Sequence, residues 1–451
     1  MEITQEQINQ AKIRALDKTA EIREALYKEP QLRYLFLELT MACNSKCFHC
    51  GSRCEPGAVS GLPMDKYLQV LEEVRENFDL RRLMLCITGG EPLLYPDFFE
   101  LLGRANEMGY QWGMTTNGTL ITREKAKLLR QTGMKTVSVS IDGLEESHDR
   151  QRGLDSGYRM AMQGIQNLID EGGFQEIQVT TVVNHSNIHE LDALYTIFEK
   201  MDIDSWRVIN LEPIGRALDY PDMMLTPEDY RRLFAFIYEK RLEQMPVVYG
   251  CAHFLGVNLE RELRDWYFTC SAGLHVASIM SNGDIGACLD IERRPETIQG
   301  NIFKDSFTDV WKNRFELFRK PLSDLNERCG SCPESKWCAG GAHHSWDYDN
   351  NRPMVCFKGM FFRRQASSSS KRAQRWRTNC QQVSSQQVSS ELANQQQVSS
   401  EVTNQEVTRR QTSSEVTNQE VTNQQQASSE VANEEVANEE LANEDSREEQ
   451  K

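Results

Sequence analysis

The sequence predicts an α/β protein built on a parallel sheet, followed by a smaller Cys-rich domain and a long tail. Between Leu35 and about residue 216, six short apolar runs alternate with longer segments of helical periodicity, from YLFLELT to WRVINLEPIG. This alternation indicates parallel strands joined by helical crossovers. Polar or glycine-bearing motifs follow the runs (TMAC, TGGEP, TTNG, SIDG, VVN and EPIG), and parallel barrels carry their chemistry at the carboxyl ends of the strands.

An amphipathic helix is predicted before the first strand, over residues 3 to about 28 of an N-terminal segment 1–30. Its apolar positions at helical spacing are Ile8, Ile13, Leu16, Ile22 and Leu26. Such a stripe predicts packing at the edge of the next domain. Thirty residues are too few for a separate domain that recognises a leader peptide.

The composition changes twice after the core, which we place at residues 31–240. Residues 245–364 are dense in Cys and carry glycine-rich turns such as SNGDIG and CAGG. Residues 365–451 consist mainly of Ser, Gln, Asn, Glu, Val and Thr, in repeats such as QQVSS, EVTNQ and VANEE. That composition buries too little apolar surface to offset the entropy of ordering, so the tail is predicted to be disordered.

Charge and cysteine content exclude several classes of protein. The net charge is −16 and no dominant basic patch occurs, which argues against a nucleic-acid partner. No run of eighteen apolar residues occurs, so no membrane span is expected. The 13 Cys are an odd number, and the polar N-terminus has no signal-peptide pattern. A cytoplasmic protein with metal-bound thiols is therefore favoured over a disulfide framework.

Cys43, Cys47 and Cys50 form a C-x3-C-x2-C motif directly after the first predicted strand. Zinc sites usually take paired C-x2-C knuckles and four protein ligands. Three thiolates on a cubane of four irons leave one iron open for another ligand. Cys54, just beyond the motif, and Cys86, inside an apolar strand, are predicted to be bystanders.

The motif and the strand ends that follow it resemble the radical S-adenosylmethionine (SAM) superfamily, whose fold is a partial (β/α)6 TIM-like barrel. The resemblance implies that Cys43, Cys47 and Cys50 hold a [4Fe–4S] cluster whose open iron chelates SAM. One electron from the cluster then cleaves SAM to a 5′-deoxyadenosyl radical, which abstracts hydrogen from the substrate.

Further positions match the SAM-binding motifs of that superfamily in the same order. In the family, GGEP holds the amino group of SAM, the SIDG strand end contacts its ribose and methionine, and a ring before the third Cys packs near its adenine. Arg152, in HDRQRG, is expected to pair with the SAM carboxylate. The SAM-binding residues implied by the resemblance are His49, Gly89, Gly90, Glu91, Asn117, Ser140, Asp142 and Arg152.

The Cys-rich segment resembles the SPASM extension, which carries auxiliary iron–sulfur clusters in peptide- and protein-modifying members of the superfamily. The resemblance implies one complete four-thiolate cluster. Its ligands would be Cys329, Cys332, Cys338 and Cys356.

A second, inner auxiliary cluster is less complete. Its ligands would be Cys251, Cys270 and Cys288, where Cys251 is the only upstream candidate. Ala342 stands where the family has a further Cys. The inner cluster would then have an open iron, take His343 or His344 as a substitute ligand, or be absent.

The resemblance implies a radical SAM/SPASM maturase that acts on a ribosomally synthesised peptide, with a crosslink as the first choice of product. Its partners would be the precursor peptide, an electron donor such as flavodoxin or ferredoxin, and a separate protein that recognises the leader peptide. Alternatives are a peptide epimerase, a backbone-excising enzyme, a sulfatase-maturase-like oxidase and a tetrapyrrole side-chain decarboxylase. An alternative of another class is a metal-binding scaffold whose tail is the functional part.

Overall fold

A mostly parallel sheet organises the computed structural model, which describes residues 5–58, 61–243 and 245–358. The strands are β1 (Tyr34–Glu38), β2 (Met84–Thr88), β3 (Gln111–Thr116), β4 (Met134–Ser140), β5 (Glu176–Val183), β6 (Ser205–Asn210), β7 (Val247–Tyr249), β8 (Val276–Ile279), β9 (Asp284–Gly286), β10 (Gly300–Asn301), β11 (Trp346–Asp347) and β12 (Arg352–Pro353). Ten of these described strands form one sheet in the order β10-β9-β8-β1-β2-β3-β4-β5-β6-β7, and β11 pairs with β12.

The helices lie between the strands, as the alternating sequence pattern predicts. They are α1 (Gln5–Lys28), α2 (Met64–Asn77), α3 (Phe98–Glu107), α4 (Arg123–Gln131), α5 (Glu145–Arg152), α6 (Gly157–Glu171), α7 (Leu191–Phe198), α8 (Pro227–Lys240), α9 (Phe307–Asn313), α10 (Glu327–Gly330) and α11 (Ser335–Cys338). Among the described helices, none combines the length and the apolar character needed to cross a bilayer.

Strands β1 to β6 are the six predicted β units, and each pairs in parallel with the next. The predicted α/β fold with a partial (β/α)6 barrel is therefore confirmed. The sheet extends further than the sequence pattern predicted, because β7 adds in parallel to β6 and β8 adds in parallel to β1. Strands of the Cys-rich segment thus continue the sheet of the barrel.

The hydrophobic core lies between the sheet and its helices. Helix α2 buries Tyr67, Leu71 and Val74, whose spacing places them on one face of the helix. Across the sheet, Trp206 packs edge-on against Phe198 with ring centroids 5.0 Å apart. These side chains hold the helices on the sheet and fix the positions of the strand ends.

The N-terminal helix packs on the Cys-rich segment through contacts that include a buried basic side chain, Arg23, and a hydrogen bond from Trp337 Nε1 to Asp17 Oδ1 at 2.8 Å. Arg23 donates hydrogen bonds to the carbonyl oxygens of Lys336 and Trp337, at 2.6 and 2.8 Å. Leu16 is buried, whereas Ile22, which the periodicity placed on the apolar face, is 50% exposed. The predicted tail at 365–451 lies outside the described residues, and the predicted domain boundaries stay predictions.

Candidate functional site

Polar residues follow six neighbouring parallel strands at one rim of the sheet. Within two residues of the strand ends lie the glycine Gly89 and the polar residues Thr40, Asn117, Asp142, Asn184 and Glu212. Contacts between neighbouring strand ends, described below, join the Cys-bearing loop after β1 to the ends of β2, β3, β4 and β6. The carboxyl rim of the sheet therefore forms one continuous site.

Cys43, Cys47 and Cys50 occupy the loop that leaves β1. The first two thiols are buried, each residue being 8% exposed. The backbone N–H of Ser45 donates to Cys43 Sγ at 3.4 Å, and Arg152 Nη1 donates to Cys47 Sγ at 3.8 Å. Burial raises the pKa of Cys43 to about 12. A bound metal would overcome that penalty, because coordination stabilises the thiolate.

Cys54 lies beside Cys50 and takes the role of a hydrogen-bond donor. Its backbone N–H donates to Cys50 Sγ at 3.3 Å. The neighbouring Cys54 side chain is the main reason that the pKa of Cys50 falls to about 6. The proximity of Cys50 and burial raise the pKa of Cys54. The Cys54 thiol donates to Met41 Sδ at 3.8 Å.

Arg216, which the sequence analysis did not single out, clamps the Cys-bearing loop. Its guanidinium donates hydrogen bonds to the carbonyl oxygens of Cys47, at 2.5 Å, and Cys54, at 2.9 Å. Its backbone N–H donates to the carbonyl oxygen of Cys50 at 3.0 Å. The preceding Gly215 has φ +54°, and a Cβ there would lie 2.2 Å from the carbonyl oxygen of Gly51. Only glycine permits this close approach.

The GGEP turn after β2 lies directly against the backbone that leads into Cys43. The N–H of Gly90 donates to the carbonyl oxygen of Thr40 at 2.6 Å, and the N–H of Glu91 donates to that of Ala42 at 2.9 Å. A Cβ on Gly90 would lie 2.1 Å from the Ala42 oxygen. The turn therefore needs glycine to bring the two strand ends together.

Glu91 is fully buried and bridges the ends of β2 and β3. Its carboxylate accepts hydrogen bonds from Thr116 Oγ1 at 2.8 Å and from the backbone N–H of Asn117 at 2.9 Å. Burial raises the pKa of Glu91, and these hydrogen bonds act in the opposite direction. Asn117 in turn donates from Nδ2 to Asn44 Oδ1 at 2.7 Å, which connects β3 to the Cys-bearing loop.

Asp142, just beyond β4, forms a buried ion pair with Arg152. Both Nε and Nη2 of Arg152 lie 2.6 Å from Asp142 Oδ2, and the N–H of Val182 donates to Oδ1 at 2.8 Å. Burial alone would raise the pKa of Asp142, but the positive charge of Arg152 beside it lowers that pKa overall. Ser140, the last residue of β4, is also buried, and it lies two residues before Asp142 in the sequence.

Replacing Asp142 by Asn is expected to lower the free energy of unfolding by about 3–5 kcal/mol, because Arg152 would remain buried without its counter-charge. The measurement is the midpoint of thermal unfolding. Glu72→Gln is the matched control: its partner is Arg75, and the two side chains are 43% and 46% exposed. Loss of this exposed pair should cost at most about 1 kcal/mol. Equal shifts in the two variants would contradict the prediction.

His49 carries a buried ring nitrogen that has no hydrogen-bond partner among the described residues. Its Nε2 lies 3.4 Å from Asp142 Oδ2, and its Nδ1 is the unpartnered atom. Burial lowers the pKa of His49 to about 4, so the ring is neutral at pH 7. A buried polar atom without a partner fits a site that awaits a polar ligand, at the position where the resemblance places adenine.

Four cysteines of the C-terminal segment lie near enough to influence one another electrostatically, and their assignment as ligands of the outer auxiliary cluster stays a prediction. The ionised forms of Cys329, Cys332, Cys338 and Cys356 would repel one another. Asn326 Oδ1 accepts the backbone N–H of Cys329 at 3.0 Å, and Lys358 Nζ lies 2.9 Å from Cys332 Sγ. Four thiols with a nearby cation are a suitable donor set for an iron–sulfur cluster.

The inner group of cysteines is only partly assembled. Burial raises the pKa of both Cys270 and Cys288, and a charge on Cys270 would raise that of Cys288 further. Cys251 lies beside the end of β6, where Asn210 N–H donates to its Sγ at 3.2 Å. The imidazole of His343 bonds Tyr348 Oη through Nδ1 at 2.9 Å. The assignment of Cys251 as an inner-cluster ligand stays a prediction.

Two family models match the chain. The model of the radical SAM superfamily matches residues 37–197, and the SPASM model, an iron–sulfur cluster-binding domain, matches residues 270–333. The first range contains the C-x3-C-x2-C motif and the strand-end motifs from TMAC to VVN, and the second contains Cys270, Cys288, Cys329 and Cys332.

Similar proteins include a heme synthase, a peptide maturase and a solved structure of the same fold. The AdoMet-dependent heme synthase of Methanosarcina barkeri is 29% identical over 347 residues, covering 72% of this chain and 97% of the relative. The mycofactocin maturase MftC of Mycobacterium tuberculosis is 31% identical over 312 residues, covering 67% of this chain and 76% of the relative. The crystal structure of Streptococcus suis SuiB bound to S-adenosylmethionine has a TM-score of 0.58 at 22% identity, covering 70% of this chain and 74% of SuiB.

Proposed function

Because the chain belongs to the radical SAM superfamily and carries a SPASM iron–sulfur domain, we propose that it is a maturase of a ribosomally synthesised peptide. The enzyme uses SAM and iron–sulfur clusters as cofactors. The cluster and SAM together supply a 5′-deoxyadenosyl radical that abstracts hydrogen. A crosslink between peptide side chains is the proposed product.

The observation that carries this proposal is the arrangement around the C-x3-C-x2-C loop. Three thiols lie on one loop, the glycine turn after β2 packs against the start of that loop, and Arg216 fixes its carbonyl groups. We assign the SAM-bound cluster to Cys43, Cys47 and Cys50. The SAM site itself is assigned to His49, Gly89, Gly90, Glu91, Asn117, Ser140, Asp142 and Arg152.

Peptide modification is supported by MftC, which is named a maturase, and by the structure of SuiB bound to the precursor peptide SuiA. The likeness to SuiB concerns the fold, at 21% identity and a TM-score of 0.55. We propose that this protein likewise takes a precursor peptide, with flavodoxin or ferredoxin as electron donor and a separate protein for leader recognition. We place this reaction in the cytoplasm, where thiols stay reduced.

The experiment is anaerobic incubation of the reconstituted enzyme with SAM, a reductant and, in turn, each short peptide that is encoded beside its gene. A crosslinked product would have lost two hydrogen atoms, which mass spectrometry of the peptide detects. Release of 5′-deoxyadenosine without any change in a full set of neighbouring peptides would contradict the peptide proposal and leave the radical SAM chemistry intact.

Tetrapyrrole side-chain decarboxylation is the second candidate. It is favoured by the AdoMet-dependent heme synthases, one of which matches this chain along 97% of its own length. The Fe-coproporphyrin III synthase of Methanosarcina barkeri is also similar, at 26% identity. A parallel incubation with Fe-coproporphyrin III tests this candidate, because that tetrapyrrole still carries propionate side chains from which carbon dioxide can be lost. Loss of carbon dioxide from the porphyrin would favour this candidate over the peptide.

We further propose that Cys329, Cys332, Cys338 and Cys356 hold an auxiliary cluster. Changing Cys329 and Cys356 together to Ala is expected to lower the iron content by about four atoms per chain. SAM cleavage should persist, because the SAM cluster has its own thiolates, whereas substrate turnover should fall to background. Iron and acid-labile sulfide analysis, with 5′-deoxyadenosine measured in parallel, checks both parts. Unchanged iron content would contradict this assignment.

A further inference from the structure

Glu212, His253 and His344 form a cluster of metal-ligand side chains outside the proposed iron–sulfur sites. One ligand atom from each residue lies within 4.8 Å of the other two. Glu212 follows β6, His253 follows β7, and His344 lies between Cys338 and Cys356 of the four-cysteine group. Two imidazoles and one carboxylate are a donor set that proteins use for Zn(II) and for non-haem Fe(II).

The hydrogen bonds of Glu212 leave one of its oxygens without a partner. Oε1 accepts from Asn210 Nδ2 at 2.7 Å and lies 2.5 Å from His253 Nε2. Oε2 is buried and has no hydrogen-bond partner in the described part of the chain. A buried carboxylate oxygen is costly to leave unsatisfied, so this atom indicates a ligand that the side chains do not supply.

Neighbouring side chains hold the cluster in place. Arg264 donates to the backbone carbonyl of His253 at 2.5 Å, and Tyr249 Oη donates to Asn210 Oδ1 at 2.5 Å, which orients the amide that bonds Glu212. His253 is 3% exposed, and its ring lies 5.7 Å from that of His344. Outer contacts of this kind orient the ligands of metal sites in proteins.

The segment that carries Glu212 also contacts the loop of the C-x3-C-x2-C motif. Glu212 and Arg216 belong to the same segment after β6, and Arg216 bonds the carbonyl groups of Cys47 and Cys54. A ligand bound at Glu212 would therefore lie at the same rim of the sheet as the proposed SAM site.

We propose that Glu212, His253 and His344 bind one divalent transition-metal ion of the Zn(II) or Fe(II) class, separate from the iron–sulfur clusters. On binding, the ion replaces the hydrogen bond between His253 Nε2 and Glu212 Oε1, the imidazole takes the tautomer with its proton on Nδ1, and Oε2 gains a partner. Three protein ligands leave a coordination position open for water or for a substrate group. This inference goes beyond the proposed function and does not depend on the identity of the substrate.

The test uses full-length holoenzyme with its clusters reconstituted, freed of loosely bound metal by a chelator and dialysed anaerobically against Zn(II). Wild type should bind one Zn(II) per chain. Glu212→Gln, His253→Ala and His344→Ala should each weaken binding at least about 10-fold, which is the smallest loss typical even of outer contacts to a metal ligand. Zinc, iron and sulfide are measured in the same samples, so that zinc bound by thiols of incomplete clusters is recognised.

His185→Ala is the matched control, because His185 also pairs with a carboxylate, Asp229, at 2.8 Å but lies outside the cluster. It should bind zinc as wild type does. A wild type without bound zinc, or three variants that retain it, would overturn the proposal. So would loss of iron from the His344→Ala variant, which would make His344 a cluster ligand.

X-ray absorption at the zinc edge on wild type provides a measurement that needs no variant. Nitrogen and oxygen ligands at about 2.0–2.2 Å are expected. A sulfur shell at about 2.3 Å would overturn the proposal, because the ion would then be bound by cysteines.

Discussion

Changing Cys43, Cys47 and Cys50 together to Ala is expected to abolish reductive cleavage of SAM. The loop would then offer no thiolate for the iron cluster, and SAM would have no iron to chelate. The measurement is 5′-deoxyadenosine released by the reduced, reconstituted enzyme, which should fall to the level without protein. Iron bound by the four-cysteine group of the C-terminal segment should remain.

Two single variants make this result specific. Cys86→Ala removes a thiol on β2 whose contact is the carbonyl oxygen of Met84, at 3.9 Å, and cleavage should be unchanged. Cys54→Ala should keep the iron content, because Cys54 is assigned as a hydrogen-bond donor to Cys50 and not as a ligand. Cleavage that persists in the triple variant would refute the assignment of the SAM cluster.

Replacing Gly90 by Ala is expected to lower SAM cleavage about 100-fold, the loss typical of a displacement of roughly 1 Å at a reacting centre. The new Cβ would lie 2.1 Å from the carbonyl oxygen of Ala42, so the turn after β2 and the start of the Cys-bearing loop must move apart. The cost to stability should be about 1–3 kcal/mol. Cleavage rate and thermal midpoint are measured together.

Gly103→Ala is the control for the added methyl group. Gly103 lies within α3, and the nearest atom to a Cβ there is Thr132 Cγ2 at 3.9 Å, an ordinary contact. The change should leave cleavage intact and should stabilise the chain by roughly 0.5–1 kcal/mol, because Ala has the higher helix propensity. Equal losses of SAM cleavage in the Gly90→Ala and Gly103→Ala variants would show that crowding against the Ala42 carbonyl oxygen does not cause the loss.

The residues at the carboxyl rim of the sheet could be predicted from the sequence, because each strand and the residues that follow it form a short, continuous pattern. Each strand is an apolar run of a few residues, and polar or glycine residues follow it directly, as in the turn before Glu91. In a parallel sheet those ends must meet, so Asn117 and Asp142 could be placed near the cysteines without coordinates. The number of strands was underestimated, because β7 and β9 have only three residues each and carry little periodic signal.

Contacts between distant parts of the chain could not be predicted in this way. Arg216 follows a strand end that the sequence analysis noted, but nothing local indicates that its guanidinium reaches Cys47. The cluster of Glu212, His253 and His344 has no ligand spacing, since its members come from three separate segments. Its one local signal is Glu212, which directly follows a strand in EPIG.

The pairing of β8 with β1 has a consequence for how such proteins can be divided. Residues 276–279 form hydrogen bonds in register with residues 34–37, so the first barrel strand is an interior strand only while the Cys-rich segment is present. In a fragment that ends near residue 240, β1 would be an edge strand. Its backbone N–H and C=O groups that face β8 would then be unpaired, which favours aggregation. Exchange of the C-terminal half between relatives would therefore have to preserve this strand register, and the two halves are not freely interchangeable modules.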